Sequence, residues 1–364
     1  MRIMVGLSGG VDSAVSAALL QRAGADVVGA FIKTWTPDPS TVLGARCGWK
    51  EERRDAMRVA AHLDIPFVTI DLEREYKESV VDYMISEYKA GRTPNPDVMC
   101  NKEIKFGAFL RKALALGADM IATGHYAQVT QSSKVKSQNY SSKLKRGTDE
   151  KKDQSYFLWT LTQDQLGKTI FPVGHLMKSE VRELAKKFKL PVAEKRDSQG
   201  ICFLGHIDMR QFLSHYTKTE CGNVLNLQGK KVGEHDGAIF YTLGQKVLGQ
   251  YVVAKNVEKN ELTVSIKRSN TSNIPNAQTD VVKIKDINWI DPSCKLQIAN
   301  SHISALTAQL RYHGEKLLCH IVQDPHRVWT DECMVKFDQP VLVAPGQSIV
   351  FYRGDECLGG GVVE

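Results

Sequence analysis

Short apolar runs and helical segments alternate along the first third of the chain. The runs lie at residues 3–7, 27–32, 67–71 and 120–123, and segments rich in Ala, Leu and Arg separate them. This alternation predicts a parallel β-sheet with crossover helices. Ligands bind such sheets at the carboxyl ends of the strands, so the loops after the first, second and fourth runs should form a site.

Beyond about residue 210 the pattern changes to short strand-like segments. Examples are "GAIFYTL", "ELTVSIK", "KLLCHIV" and "SIVFYR", which are divided by Gly, Asn and Asp turns. They predict β-rich accessory domains and a small closed barrel at the C-terminal end. Because 364 residues are too many for one ordinary core, we expect an α/β catalytic domain over 1–210, a small central domain over 211–275 and a C-terminal β-barrel over 276–364.

Residues 130–153 are polar and carry seven basic side chains. They show neither helical nor strand periodicity, so we expect a mobile surface loop. A charge run of this kind is either a solvated insertion or an arm that touches RNA, and the sequence leaves both readings open.

Composition narrows the class of protein. The chain is 42% hydrophobic and 24% charged, which is typical of a globular protein, and no apolar run approaches the roughly 18 residues of a membrane span. A strand predicted at the first residues leaves no room for a signal peptide, so we expect a cytoplasmic protein, or an organellar matrix protein after processing. The formal charge of +7 is compatible with a polyanionic partner. None of the eight cysteines forms a Cys-x-x-Cys pair, so no metal site is expected.

A glycine-rich loop, "SGGVDS" at residues 8–13, joins the first predicted strand to the first predicted helix. Its glycines let backbone N–H groups approach an anion, and the first turn of the helix adds unpaired donors and its dipole. A Walker A loop would carry a lysine, but residues 1–32 contain none. The loop therefore predicts a phosphate cradle, with a plain serine-capped turn as the alternative.

Two cysteines lie in unusual surroundings. Cys100 follows two prolines that fix a rigid lead-in, and it starts a helical segment beside Lys102 and Lys105. A thiol in that position is expected to have a depressed pKa, although a plain buried cysteine fits the spacing too. Cys202 follows basic and turn-forming residues, which predicts an exposed loop thiol.

These segments carry a resemblance to a known family. The loop resembles the pyrophosphate loop of the ATP pyrophosphatases, which adenylate an oxygen and release pyrophosphate, so the missing lysine is expected. Together with the cysteine segments, it is similar to the tRNA-specific 2-thiouridylases, which replace the C2 oxygen of the wobble uridine by sulfur. The matching segments are "GLSGGVDS", "FIKTW", "GRTPNPDVMCNKEIKFG", "ATGHYA", "KDQSYFLW", "FPVGHLMKSEVRELA" and "DSQGICF".

The resemblance implies roles for three side chains. Cys202 would carry a persulfide and Cys100 would attack it, leaving a disulfide that a reductant reopens; transfer without an obligatory disulfide stays open. Asp97 would be an acid/base group, while an Asx-type turn former is its plain structural reading. The implied partners are the anticodon region of tRNA and a protein that donates persulfide sulfur.

The resemblance also implies binding residues. ATP with Mg²⁺ would bind without a dedicated protein cage for the metal. The implied nucleotide contacts are Gly6, Leu7, Ser8, Gly9, Gly10, Val11, Asp12, Ser13, Ile32 and Gly124. The implied RNA contacts are Asn95, Pro96 and Asp97 at the target base, with Lys152, Asp153, Gln154, Arg311 and Tyr312 elsewhere on the tRNA.

One segment departs from the family pattern. "YTLGQKVLGQYVV" lacks the expected Arg and later glycines, which leaves the shape or the RNA contact of the central domain open. Two other functions also stay open. An adenylating synthetase of the amidotransferase type would need neither cysteine nor RNA, and a non-catalytic RNA-binding protein would bind tRNA without releasing pyrophosphate.

Overall fold

The computed structural model describes residues 1–37, 48–131, 142–197, 202–203, 208–217, 220–266, 279–294, 306–322 and 332–364. The strands in chain order are β1 (Arg2–Gly6), β2 (Asp26–Lys33), β3 (Phe67–Asp71), β4 (Met120–Ala122), β5 (Ala127–Gln131), β6 (Ser142–Arg146), β7 (Thr169–Ile170), β8 (Gly222–Leu225), β9 (Lys231–His235), β10 (Lys246–Val247), β11 (Gln250–Asn256), β12 (Glu261–Ser265), β13 (Thr279–Trp289), β14 (Thr307–Gln309), β15 (Lys316–Val322), β16 (Glu332–Val341), β17 (Ser348–Arg353) and β18 (Glu356–Val363).

The helices are mostly in the N-terminal half of the chain. The α-helices are α1 (Val11–Arg22), α2 (Gly48–His62), α3 (Glu73–Tyr76), α4 (Asp82–Lys89), α5 (Pro96–Met99), α6 (Leu110–Ala115), α7 (Gln163–Leu166), α8 (Lys178–Lys187) and α9 (Met209–Ser214). Two π-helices lie at Lys77–Val81 and Cys100–Phe109, and 3₁₀ turns lie at Ser155–Phe157 and Ala238–Phe240. No helix in the described part of the chain is long and apolar enough to cross a membrane.

The N-terminal sheet has five parallel strands in the order β3-β2-β1-β4-β7, which confirms the prediction from the alternating pattern. Strand β1 is central, with β2 on one side and β4 on the other. The chain therefore leaves β1 in one direction and returns beyond it later, which makes the carboxyl ends of β1 and β4 a topological switch point. Apolar residues of β1 and the Ala-rich helix α1 are buried together below this edge.

One continuous helical run carries the segment around Cys100. Asn95 begins it as the N-cap, because its side chain accepts a hydrogen bond from the Val98 N–H at 3.3 Å, and Pro96 takes the first helical position. The run passes from α5 through the π-helix Cys100–Phe109 into α6. Gly107 permits the wide turn, since a Cβ there would stand 2.8 Å from the carbonyl oxygen of Lys102.

The central domain closes around its own small core of apolar strand residues, which includes Val224, Val252 and Leu262. Its five-stranded sheet has the order β10-β11-β12-β8-β9. The segment that departs from the family pattern forms β10, a tight turn and β11. Leu248 and Gly249 make that turn with positive φ angles of 50° and 77°. The segment therefore forms a regular hairpin despite its departure from the family pattern.

The C-terminal barrel closes through pairing of β13 with β18, and the six strands that the described residues form there run in the order β13-β16-β15-β14-β17-β18. The closed antiparallel barrel confirms the predicted fold class. Strands β5 and β6 extend the same sheet from β18, with Cys357 opposite Leu144.

The expectation of a mobile loop over 130–153 is wrong for the part that the structure describes. Residues 142–146 form β6, and the rest of the expected loop from residue 132 to 141 lies outside the described residues. The single apolar side chain of β6, Leu144, is fully buried against the barrel. Neighbouring charges are paired, Lys143 with Glu356 at 3.2 Å and Arg146 with Asp153 at 2.6 Å. Strand pairing and ion pairs thus order a segment whose sequence shows mainly charge.

Candidate active site

A cleft of about 160 Å³ opens at the carboxyl ends of β1, β2 and β4, where the strand pattern placed a site. Seven of the ten predicted nucleotide contacts line it, and Gly9, Gly10 and Val11 are not among its lining residues. The residues that line the cleft are Gly6, Leu7, Ser8, Asp12, Ser13, Ala30, Ile32, Lys105, Thr123, Gly124, His125, Gln154 and Phe203.

The loop between β1 and α1 is built to leave backbone donors free. Gly10 is the N-cap of α1 and has no side chain to bond the first-turn N–H groups. Gly9 has φ +75°, and a Cβ there would come within 2.4 Å of the Glu52 carbonyl oxygen, so only glycine fits. Ser13 holds the turn, since its hydroxyl donates to the Gly10 carbonyl at 3.2 Å and accepts from the Ser8 N–H at 3.2 Å. Unpaired N–H groups at a helix start bind anions.

Gly124 brings the end of β4 against the start of α1. A Cβ at this position would lie 2.7 Å from the backbone nitrogen of Ser13 and 3.0 Å from the Cβ of Asp12. Ile32, which is 6% exposed, lies at the other side of the cleft at the end of β2. The cleft therefore joins a narrow polar end at the loop to an apolar wall.

A lysine reaches the loop from far along the chain. Lys178 begins α8, and its Nζ lies 2.7 Å and 2.9 Å from the two carboxylate oxygens of Asp12 and 2.9 Å from Asp197. Tyr126 donates a third hydrogen bond to Asp12 at 2.8 Å. Burial opposes ionisation of Asp197, but hydrogen bonds from Lys152 and Lys178 hold its pKa well below the ordinary value. The sequence contained Lys178 in the segment "FPVGHLMKSEVRELA", but only the fold brings it beside the loop.

The two cysteines meet beside the cleft. The Sγ atoms of Cys100 and Cys202 are 3.5 Å apart, and both thiols are free. Asp97 Oδ1 accepts a hydrogen bond from the Cys202 N–H at 2.9 Å, and the Tyr76 hydroxyl donates to the Cys202 carbonyl at 2.7 Å. Phe203, the next residue, lines the cleft. A thiol pair and an anion-binding loop are thus parts of one site.

The two thiols differ in acidity, and Cys100 departs from the sequence prediction. Burial raises the pKa of Cys100 well above its ordinary value, and its hydrogen bond to Cys202 adds to the shift. That hydrogen bond lowers the pKa of Cys202, and the charge of Lys105 lowers it further against the effect of burial. The expected depression at Cys100 is therefore wrong, because Cys100 is fully buried and donates to its partner. Cys202 is half-buried, which corrects the expectation of an exposed loop thiol.

Asp97 lies in the first turn of α5, next to the backbone of Cys202. Burial raises the pKa of its carboxyl, while the Cys202 N–H and the charge of Lys105 act in the opposite direction. A carboxyl with a raised pKa next to a thiol can hold or release a proton nearer neutrality than an exposed one.

Sequence comparisons place the whole chain. A family model described as the tRNA methyl transferase HUP domain matches residues 1–206, the PRC-barrel domain model of the same name matches 210–266, and an aminomethyltransferase β-barrel domain model matches 279–363. A tRNA-specific 2-thiouridylase MnmA of Oceanobacillus iheyensis is 45% identical over 100% of this chain and 95% of its own length. The one of Bacillus subtilis is 43% identical with the same coverage. The chain belongs to the tRNA-specific 2-thiouridylase family.

The RNA contacts implied for a tRNA-specific 2-thiouridylase fall into two groups. Lys152, Gln154, Arg311 and Tyr312 present polar or aromatic groups at or near the surface. Lys152 pairs with Asp197 at 2.8 Å, and Gln154 lines the cleft while accepting from the Tyr126 N–H at 3.0 Å. Tyr312 is 38% exposed and its ring lies 4.5 Å from that of Phe157. Their contact with tRNA stays a prediction.

The second group is tied to the protein itself. Asp153 is 5% exposed, and its carboxylate accepts from Arg146 at 2.6 Å, from the Gly147 N–H at 3.0 Å and from Ser155. Asn95 caps α5 and Pro96 is its first residue, so these two shape the backbone in front of Cys100. The Ser155 N–H also donates to this carboxylate at 3.1 Å, so an RNA contact through Asp153 would have to compete with four internal donors.

The metal expectation concerns Mg²⁺ that arrives with ATP. Among the described residues, no group of three or more His, Cys, Asp or Glu side chains could hold a metal ion. Among the described residues that line the cleft, Asp12 is the one carboxylate, and Lys178 already pairs with both of its oxygens. This donor set suits a metal held mainly by nucleotide phosphates.

Proposed function

We propose that this member of the tRNA-specific 2-thiouridylase family uses ATP to replace the C2 oxygen of the tRNA wobble uridine by sulfur. The sulfur is delivered from a persulfide on Cys202. The observation that carries the proposal is the 3.5 Å approach of the Cys100 and Cys202 sulfur atoms beside a phosphate-binding cleft. Residues 102 apart in sequence are held together there by contacts from Asp97 and Tyr76. Such an arrangement suits sulfur exchange next to an adenylation site.

The nucleotide step follows from the loop. ATP would place its β- and γ-phosphates on the free N–H groups at the start of α1 and its base near Ile32 and Gly124. Mg²⁺ bound to the phosphates would neutralise part of their charge. The uridine C2 oxygen is a poor leaving group until it attacks the α-phosphorus and becomes an adenylate, with pyrophosphate as the product. The loop would retain that pyrophosphate, and the positive charge of Lys178 lies beside the loop.

The sulfur step uses the two thiols. The Cys100 thiol attacks the inner sulfur of the Cys202 persulfide anion and its proton passes to the outer sulfur, so a Cys100–Cys202 disulfide forms and hydrosulfide leaves with the electron pair. Hydrosulfide adds to C2 of the adenylated uridine, and AMP departs with the former C2 oxygen. Two electrons from a dithiol reductant reopen the disulfide. Transfer without an obligatory disulfide is the second route, and it uses the same residues.

Asp97 would manage the protons of this exchange, because its carboxyl accepts from the Cys202 backbone and has a raised pKa. The target uridine has to leave its stack in the anticodon loop to reach the cleft. Tyr312 offers an aromatic face to RNA bases and Lys152 a positive charge to the backbone. A separate protein would load the persulfide sulfur onto Cys202.

The deciding experiment incubates the protein with ATP, Mg²⁺, a persulfide donor and anticodon-bearing tRNA, and then analyses the nucleosides by mass. We expect 2-thiouridine at the wobble position, together with pyrophosphate release that depends on tRNA. A Cys100→Ser/Cys202→Ser double variant that retains full turnover with ammonia as the nucleophile would instead favour an amidotransferase-type synthetase. Binding of tRNA without pyrophosphate release would indicate a non-catalytic RNA-binding protein.

A further inference from the structure

Lys105 lies between the cleft and the thiols because of the π-helix. It follows Cys100 by five residues, and in an α-helix with 3.6 residues per turn it would stand about 140° around the axis. The i→i+5 hydrogen bonds of the π-helix Cys100–Phe109 bring the fifth residue back over the first. The widened turn therefore places a thiol and an ammonium group on the same side of one helix.

The ammonium of Lys105 faces a set of reactive groups. Lys105 lines the nucleotide cleft, and its charge interacts with Cys202, Cys100 and Asp97. Its Nζ also lies 5.7 Å from the ring centre of Phe203. Lys105 thus contacts both halves of the site, whereas Lys102 on the same helix is exposed and pairs with Glu103 at 3.5 Å.

A buried histidine fixes the direction of this ammonium. His125 Nε2 lies 3.3 Å from Lys105 Nζ, and His125 Nδ1 lies 2.7 Å from the Thr123 hydroxyl. Burial and the neighbouring lysine charge lower the pKa of His125 well below its ordinary value, so the ring is neutral. A neutral ring can accept from the lysine at Nε2 and interact with Thr123 through its Nδ1 proton. The phenyl rings of Phe106 and Phe171 pack against it.

We propose that Lys105 is the catalytic cation of the sulfur step, which holds the sulfur on Cys202 in its anionic form, and that His125 is the positioning residue that aims it. The inference rests on the proposed function and adds a residue to it. Lys105 forms and breaks no covalent bond and keeps its proton; it stabilises the negative sulfur as Cys202 accepts a persulfide and again as hydrosulfide leaves. The same ammonium extends into the cleft where the adenylate would form.

Other ionisable groups around Cys202 act alongside Lys105. Cys100 donates a hydrogen bond to its sulfur, which favours the thiolate. Asp97 brings a carboxyl that acts against the thiolate. Tyr76 bonds the Cys202 carbonyl, and burial keeps its hydroxyl protonated by raising its pKa well above the ordinary value. Among these groups of the described part of the chain, Lys105 carries the single positive charge, because the neighbouring His125 is neutral.

The test measures the pH dependence of Cys202 alkylation. Iodoacetamide modification of the Cys202 peptide is followed by mass from pH 5.5 to 10 in the full-length protein and in Lys105→Met, Lys105→Arg and Lys102→Met. Removal of a neighbouring opposite charge raises a thiol pKa by roughly one unit or more, so Lys105→Met should shift the midpoint upward and slow alkylation about tenfold below both midpoints. Lys105→Arg should restore the profile, and Lys102→Met should match the parent protein.

His125 is tested by the same readout. His125→Ala should shift the midpoint in the same direction, while His125→Gln, whose amide oxygen can accept the lysine proton, should keep it. Thermal unfolding of each variant identifies any that has lost its fold, and the arginine and glutamine variants then decide the case. An unchanged midpoint in Lys105→Met overturns the inference.

The nucleoside analysis of the same samples separates the two proposals. A parent protein that makes no thiouridine, combined with a shifted midpoint in Lys105→Met, overturns the proposed function and leaves the cation assignment supported. If the parent forms thiouridine and Lys105→Met shows the same turnover and the same midpoint as the parent, the proposed function is supported and the cation assignment is overturned. Loss of turnover together with the shifted midpoint supports both.

Discussion

Substitution of Gly124 by alanine tests how the cleft is closed around the start of α1. The added Cβ would lie 2.7 Å from the Ser13 backbone nitrogen and 2.8 Å from the Asp12 carbonyl carbon. Ordinary contact begins at 3.4 Å, so the end of β4 and the first turn of α1 must separate by about 0.7 Å. Neither neighbour is a flexible side-chain tip, because both atoms belong to the backbone.

The consequence should be larger for activity than for stability. Overpacking of this kind costs about 1–3 kcal/mol, which corresponds to a fall in Tm of a few degrees in a domain of this size. A displacement approaching 1 Å in the phosphate-binding turn should slow catalysis on the order of tenfold to a hundredfold. We therefore expect Gly124→Ala to fold and to release pyrophosphate slowly even at saturating tRNA.

The assay combines calorimetric ATP binding, tRNA-dependent pyrophosphate release and thermal unfolding. Gly167→Ala is the matched control, since Gly167 ends α7 with φ −63° and its nearest neighbour would be 3.3 Å away. It should bind ATP and turn over like the parent protein. If Gly124→Ala kept the parent affinity and rate, the contact between β4 and α1 would have no part in the nucleotide site.

Three further substitutions test the rest of the site. Cys100→Ser should still accept a persulfide on Cys202, seen as a mass gain of that peptide, but should lose sulfur transfer to tRNA; retained transfer would rule out attack by the Cys100 sulfur. Tyr312→Ala should weaken tRNA binding by about 1–3 kcal/mol in a filter or anisotropy titration while Tyr312→Phe keeps it, and equal affinities would exclude stacking at this ring. Asp153→Ala should lower the free energy of unfolding by about 3 kcal/mol or more, because it leaves Arg146 unpaired; an unchanged Tm with weaker tRNA binding would instead make Asp153 an RNA contact.

Local sequence patterns predicted the parts of the molecule that depend on local chemistry. The alternation of apolar runs and helices is set by burial on both faces of a parallel sheet, so it predicted the N-terminal fold. The turn itself requires glycine at position 9, where φ is +75°, so the loop was recognisable before any fold was known. Each of these features depends on residues that are close to one another in sequence.

Features that depend on distant contacts could not be predicted in this way. Lys178 meets Asp12 across 166 positions of sequence, and no spacing rule connects them. The two lysines after Cys100 predicted a reactive thiol there, but the wide π-helical turn directs only Lys105 into the site and places its charge near both sulfur atoms. The basic residues of β6 show no strand pattern in the sequence, and the segment forms a strand because it pairs with the barrel. In each case the missing information was which groups tertiary packing brings into contact.

The central claim is that sulfur carried on Cys202 passes to an RNA oxygen activated in the adjacent cleft. The most direct measurement loads the protein with isotopically labelled persulfide sulfur, maps the label by peptide mass, and then chases it with ATP and tRNA. The account predicts label on the Cys202 peptide that moves into the wobble uridine only when ATP and tRNA are both present. Label on another cysteine, or transfer from Cys202 to tRNA without ATP, would contradict it.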